Sequence, residues 1–168
     1  LGSHVEPSAD QPLRAPGTEC RRAPAWAPSA YTLASVSDTP FTIGIIQDHA
    51  GPDAKENLAR SESLIRQAAS RGAQVICLKE LFSSRYFCKS QQASRFDLAE
   101  PIPGPTTTAL QALAKELTVV LVVPLFERQA AGVYRNSAAI IDADGSLLGV
   151  YRKMHIPDDP LFNEKYYF

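Results

Sequence analysis

The sequence predicts an α/β (α+β) domain built on a mixed β-sheet with helices on one face. Three observations lead there. A short apolar run, Phe41 to Gln47, is followed by an amphipathic stretch ending at Gly72, and then by a second apolar run, Gln74 to Leu78. Strand, helix and strand with tight connections make a βαβ unit, whose strands are parallel neighbours or near neighbours. Farther on, residues 134–141 and 146–151 flank Asp142-Ala143-Asp144-Gly145, which reads as a hairpin turn with glycine where positive φ is needed. The strands also read as apolar on both sides, so each face of the sheet is expected to be covered.

The elements follow in order. Residues 1–39 read as a disordered leader, interrupted by Pro7, Pro12, Pro16, Pro24 and Pro28 with alanine, serine and arginine between them. Such a segment buries too little apolar surface to offset the entropy of ordering it. It lacks the apolar core of a secretory signal. The folded domain is expected over 40–168. Gly51-Pro52-Asp53 opens the first helix, with Leu58, Ile65 and Ala68 as its apolar stripe. Ser83 to Ala99 is irregular, polar and aromatic, and long enough to suggest a functional or interface loop. Pro101, Pro103, Gly104 and Pro105 form a rigid turn into a second helix carrying Leu110, Leu113, Ala114 and Leu117. Val119 to Leu125 is a buried strand, and Phe126 to Gly132 a loop before the hairpin.

Bulk properties narrow the function. The chain has 168 residues, 45% hydrophobic and 21% charged, with a net charge of -1. That balance suits a globular domain and gives no reason to expect nucleic acid or an anionic membrane as partner. No apolar run approaches the ~20 residues that span a bilayer. Cys20, Cys77 and Cys88 are scattered and odd in number. They fit a reducing, cytoplasmic setting better than a disulfide framework, and no pair has zinc-site spacing. The one methionine is Met154, and the chain stops at an aromatic cluster, Tyr166-Tyr167-Phe168. A fragment of a longer protein is therefore expected.

Two strand ends carry chemistry. Glu80 follows the apolar run Val75–Leu78, where desolvation would raise its pKa toward that of a general base. The alternative is a structural ion pair or helix cap. Lys153 follows the return strand of the hairpin. A lysine beside a carboxylate stays protonated and can support a developing oxyanion, a role whose loss typically costs roughly 10²–10³ in rate. The alternative is a solvated surface lysine. His155 reads as a structural hydrogen-bonding group, Cys77 as inert core, and Cys88 as a thiol that nothing nearby activates. Glu127-Arg128 reads as a loop ion pair. Asp158 and Asp159 either attract a cationic substrate or shape a turn. Asp142 to Gly145 lacks the glutamate that completes a calcium loop.

Taken together, the stretches Gly72–Phe82, Tyr86-Phe87-Cys88, Ala99–Thr107, Asn136-Ser137-Ala138, Ile141–Gly145, Tyr151–Pro160 and Phe162–Phe168 resemble the nitrilase superfamily of carbon–nitrogen hydrolases, in order, from about Thr42 onward. The resemblance implies the N-terminal half of a four-layer αββα sandwich. It implies a Glu-Lys-Cys triad, with Glu80 as general base, Lys153 supporting the tetrahedral intermediate, and Glu164 lining the site. The nucleophilic cysteine is expected beyond Phe168, since neither Cys77 nor Cys88 matches its motif, and the fragment alone is expected to be inactive. The branch most resembled hydrolyses N-carbamoylputrescine to putrescine, carbon dioxide and ammonia, in polyamine synthesis from arginine through agmatine. The substrate would be a small carbamoylated amine, with Asp158 and Asp159 as candidate binding residues. No metal or organic cofactor is implied, and homo-oligomers are usual. A β-ureidopropionase or ω-amidase type, or a non-catalytic nitrilase-like binding module, are the alternatives. Two departures stand out. Lys79 replaces a common glutamine beside the base, so its side chain must point away from Glu80. Arg135 replaces a common histidine.

Overall fold

The computed structural model describes residues 40–168, so the readings made for 1–39 lie outside the described residues. The chain runs β1 (Ile43–Ile45), α1 (Ala54–Ser70), β2 (Val75–Cys77), a 3₁₀ turn (Ala93–Leu98), α2 (Pro105–Leu117), β3 (Val120–Ala130), β4 (Val133–Ile141), β5 (Leu147–Arg152) and a short α3 (Glu164–Tyr167). The five strands form one sheet in sequence order. β1, β2 and β3 are parallel, with Gly44 opposite Ile76 and Ile76 opposite Leu121. β3, β4 and β5 are antiparallel. The sheet is mixed, as its βαβ start and hairpin finish require. No helix among the described residues is long and apolar enough to cross a membrane.

Local chemistry sets the helix ends. Asp53 caps α1, its carboxylate accepting from the N–H groups of Lys55 at 2.7 Å and Glu56 at 3.2 Å. Such a cap is worth about 1 kcal/mol. Gly72, at φ +89°, follows the last turn in the left-handed conformation that glycine adopts without steric cost. α1 and α2 pack on one face of the sheet. Ile65, Leu110, Leu113 and Ala114 meet Ile76, Leu121, Val123 and Ile141, all buried. Gly44 lets α1 come close, since a Cβ there would sit 3.1 Å from the Cβ atoms of Ala68 and Ala73.

One face of β1 is open among the described residues: Ile45 is 79% exposed, while its neighbour Ile46 is buried. Side chains alternate along a strand, and only the face turned to α1 has a partner here. One expectation changes: 126–132 is not a loop. β3 continues to Ala130, pairing Phe126 with Asn136 and Glu127 with Arg135. The charge of Glu127 argued against a strand interior, but Arg152 and Ser137 satisfy it. The connection shrinks to a tight turn with Gly132 at φ +74°. The expected stripe of α1, Leu58, Ile65 and Ala68, packs on the core, and beside Ile65 the helix also buries polar Asn57 and Ser61. Asn57 donates to the carbonyls of Gly51 at 3.1 Å and Ser83 at 3.0 Å, and so ties the loop after β1 to the loop after β2.

The irregular 83–99 segment has its own core. Phe87 lies against Phe126 and Tyr167, with ring centroids 4.9 Å apart in each pair. The Tyr167 hydroxyl donates to the Ser90 carbonyl at 2.6 Å and accepts from the Gln92 N–H at 2.9 Å. This cluster docks α3, and with it Glu164, beside the loop that follows Glu80.

Candidate active site

β2 and β5 both run parallel to the sense of β3, so their C-terminal ends lie on the same edge of the sheet. In open α/β sheets that edge is where ligands bind. Glu80 leaves β2 there, and Lys153 leaves β5. The turn after Glu80 is anchored by Leu81 and Phe82, both buried. Leu81 holds φ 51°, a left-handed conformation that costs roughly 1–2 kcal/mol for an L-residue. Burying its side chain contributes about 1.5–3 kcal/mol and offsets that cost.

The side chains converge. Lys153 Nζ donates to Glu164 Oε2 at 2.9 Å and to Glu80 Oε1 at 3.2 Å. Asn136 Nδ2, from β4, donates to the same Glu80 Oε1 at 2.7 Å. The Tyr86 hydroxyl donates to Glu164 Oε1 at 2.9 Å. The Lys153 main-chain N–H donates to the Asn136 carbonyl at 2.9 Å. A cation is thus held between two carboxylates, and each carboxylate has a second donor.

Burial divides the two acids. The Glu164 side chain is 5% exposed, whereas that of Glu80 is 52% exposed. The expected desolvation of Glu80 is therefore corrected. Glu80 lies beyond the last paired residue of β2, on the rim of an open groove of about 550 Å³ lined also by Ala50, Lys79, Ser84, Arg85, Tyr86 and Lys89. Burial pulls the Lys153 ammonium toward a lower pKa, but its bonds to Glu164 and Glu80 outweigh this and raise it above the usual lysine value. Lys153 is a stable cation near neutrality. Burial raises the Tyr86 phenol, and the Glu164 carboxylate raises it further, so Tyr86 stays a donor.

The other candidates fall outside this cluster. Asp158 and Asp159 are exposed, in the segment between Lys153 and Glu164, where the Phe162 N–H closes a turn on the Asp159 carbonyl at 2.8 Å. Neither is a partner of Lys153. His155 is exposed. Lys79 is ion-paired with Asp48, so it does not neutralise Glu80. Asp48 is held below the usual carboxylate range: burial pushes it up, and Lys79 and Arg60 more than compensate. Cys88 is fully buried, and burial followed by the nearby Glu164 pushes its thiol up to about 12. Cys77 is half-buried rather than core. The partner of Glu127 is Arg152, by bonds of 2.6 and 2.8 Å, and not the adjacent Arg128.

Sequence reasoning gave no role to Asn136 or Tyr86. The available signals were slight: a polar Asn136-Ser137 pair inside an otherwise apolar strand, and a tyrosine in the loop after Glu80.

The fold is that of an α/β protein with a carboxylate–lysine–carboxylate centre at the C-terminal edge of a mixed sheet. Residues 42–168 match the carbon-nitrogen hydrolase family model. An N-carbamoylputrescine amidase from Solanum lycopersicum is 48% identical over 128 residues, covering 76% of this chain and 42% of that protein. A citrullinase from Francisella tularensis is 46% identical, covering 75% of this chain and 44% of its own length. The crystal structure of a carbon-nitrogen hydrolase from Helicobacter pylori superposes with a TM-score of 0.73 at 40% identity, covering 76% of this chain and 44% of that one. The chain belongs to the carbon-nitrogen hydrolase family. It spans less than half the length of these relatives.

Proposed function

We propose that residues 40–168 supply the base and the lysine of a hydrolase that cleaves N-carbamoylputrescine to putrescine, carbon dioxide and ammonia, in polyamine synthesis. The observation that carries this reading is the clamp of Lys153 between Glu80 and Glu164. Asn136 and Lys153 both donate to Glu80 Oε1, which leaves Oε2 to take a proton. The nucleophile is a cysteine in the part of the relatives' length that this chain does not span. Its thiol proton passes to Glu80 Oε2, and the thiolate attacks the carbamoyl carbon. The Lys153 ammonium stabilises the oxyanion. Glu80 returns its proton to the departing nitrogen and ammonia leaves. One water, deprotonated by Glu80, then releases the carbamate, which breaks down to amine and carbon dioxide. Cys88 is no rival nucleophile, because its buried thiol stays protonated. The protein acts in the cytoplasm on a small molecule, as a homo-oligomer, and Asp158 and Asp159 favour the cationic end of the substrate.

A second reading has its own support. Arg85 and Lys89 are exposed on the wall of the groove beside Glu80 and make no salt bridge among the described residues. They would favour a ureido substrate ending in a carboxylate, in line with the citrullinase relative. The test is ammonia release by the full-length protein from N-carbamoylputrescine, citrulline and a simple dicarboxylate monoamide. A clear preference for the first supports the main reading, and a preference for citrulline supports the second. Glu80→Gln should abolish release from the preferred substrate while leaving the protein folded. A fully active Glu80→Gln would refute the role of the base.

A further inference from the structure

We infer that Asn136 is the positioning residue that decides which carboxylate oxygen of Glu80 is left free to take up a proton. This rests on the reading of Glu80 as general base. Asn136 acts through two different groups. Its amide Nδ2 donates to Glu80 Oε1 at 2.7 Å, and its main-chain carbonyl accepts from the Lys153 N–H at 2.9 Å. Lys153 Nζ reaches the same Oε1 at 3.2 Å. One residue therefore sets base and lysine in register, one by side chain and the other by backbone.

The consequence for Glu80 is an asymmetry. A carboxylate has about four lone-pair sites. Two donors on Oε1 fix the plane of the group, while Oε2 has no donor among the described residues. Asn136 cannot easily drift from this task. It is buried, paired with Phe126 in the ladder, and next to Ser137, whose hydroxyl donates to Glu127 at 2.6 Å. Among the described residues Glu80 has no side-chain donor besides Asn136 and Lys153, so loss of the amide leaves the lysine as its one restraint.

Among the described residues, the charged and titratable groups around Glu80 are few. Lys153 faces it from the segment after β5, and Lys79, Arg85, Tyr86 and Lys89 line the same groove. Glu164 of α3 and Cys88 lie close behind. Lys79 is engaged by Asp48, Glu164 by Lys153 and Tyr86, and the Cys88 thiol is neutral. Among the described residues, Asn136 is the one uncharged donor that acts on Glu80 directly.

The experiment measures ammonia release by the full-length protein, comparing wild type with Asn136→Asp, Asn136→Ser and Glu80→Gln, each with a melting curve. Without the amide donor the Glu80 carboxylate is free to turn away from the reacting atoms, so kcat falls by up to about 100-fold in both Asn136 variants while KM changes far less. A role in packing alone would lower the melting temperature and leave kcat in place at temperatures where the variant is folded, and that result in either variant overturns the inference. A wild-type protein that releases no ammonia from any ureido or amide substrate, or an active Glu80→Gln, instead removes the reading of Glu80.

Discussion

Replacing Glu164 by glutamine keeps the size of the side chain and removes its charge. Glu164 is nearly buried and carries two bonds, from Lys153 at 2.9 Å and from Tyr86 at 2.9 Å. The first is charge-assisted, a class worth about 1.5–3 kcal/mol. Because the Lys153 side chain is 30% exposed, solvent screening reduces this to about 1–2 kcal/mol. A carboxamide can still accept from one partner through Oε1, but its NH₂ group is repelled by the other donor. If the lysine acts on the transition state, the loss appears as a fall in kcat of about 5–30-fold. The pH dependence has a definite sign. Burial lowers the Lys153 pKa, and the bonds to Glu164 and Glu80 raise it more. Without Glu164 the balance tips back toward burial, so Lys153 loses its proton at lower pH and the alkaline limb of kcat moves down. The stability contributed by the raised pKa is present below the unfolded lysine value and disappears as pH rises through the folded one, so the variant's loss of stability is greatest in the neutral range. The assay is ammonia release by the full-length protein across the alkaline range. Unchanged kcat together with an unmoved alkaline limb would refute the clamp as the source of the lysine's properties.

Two further outcomes concern the scaffold. Arg152→Ala leaves Glu127, whose side chain is 2% exposed, with the Ser137 hydroxyl as its one side-chain donor among the described residues. Breaking a buried pair costs about 3–5 kcal/mol, and with Arg152 40% exposed we expect about 1–3 kcal/mol in denaturant unfolding. In the native protein burial pushes Glu127 up, but the bonds from Arg152 and Ser137 hold it below the usual value. Its stabilisation is therefore present above the unfolded glutamate pKa and is lost as pH falls through the folded one. The deficit of the variant should be largest near neutrality and shrink on acidification, and a deficit that does not change with pH would contradict the pairing. Gly145→Ala should lower the melting temperature, because φ is +86° and the new Cβ would lie 2.7 Å from the Gln111 carbonyl. The left-handed backbone alone costs roughly 1–2 kcal/mol, and an unchanged melting temperature would mean that the turn relaxes.

Much of the fold was legible because it is written at short range. The alternation of apolar runs with the amphipathic stretch before Gly72 identified β1, α1 and β2, and Asp142 to Gly145 identified the β4–β5 hairpin. The leucines at helical spacing after Pro105 identified α2. β3 runs longer than its sequence suggests, because Glu127 and Arg128 look like loop residues from their neighbours. Their place in the strand depends on Arg152, 25 positions away. The site was legible in part. Glu80 and Lys153 stood out as charged groups at the ends of apolar strands. Asn136 and Tyr86 did not, because an amide or a phenol gains meaning only from what it touches.

Residue periodicity and turn chemistry, which act over a few positions, determined by themselves the βαβ start, the hairpin and the two strand ends where chemistry could sit. Three things were left to the tertiary structure. It placed the ends of β2 and β5 on one edge of the sheet, bringing together Glu80 with Asn136 and Lys153 across separations of 56 and 73 residues. It left Glu80 exposed, against the expectation from its apolar approach, because the solvent around a residue depends on what packs beyond the strand end. And it bound Lys79 to Asp48, freeing Glu80 for Lys153. Local propensity is a property of neighbours in the chain, whereas charge pairing and burial are properties of neighbours in space.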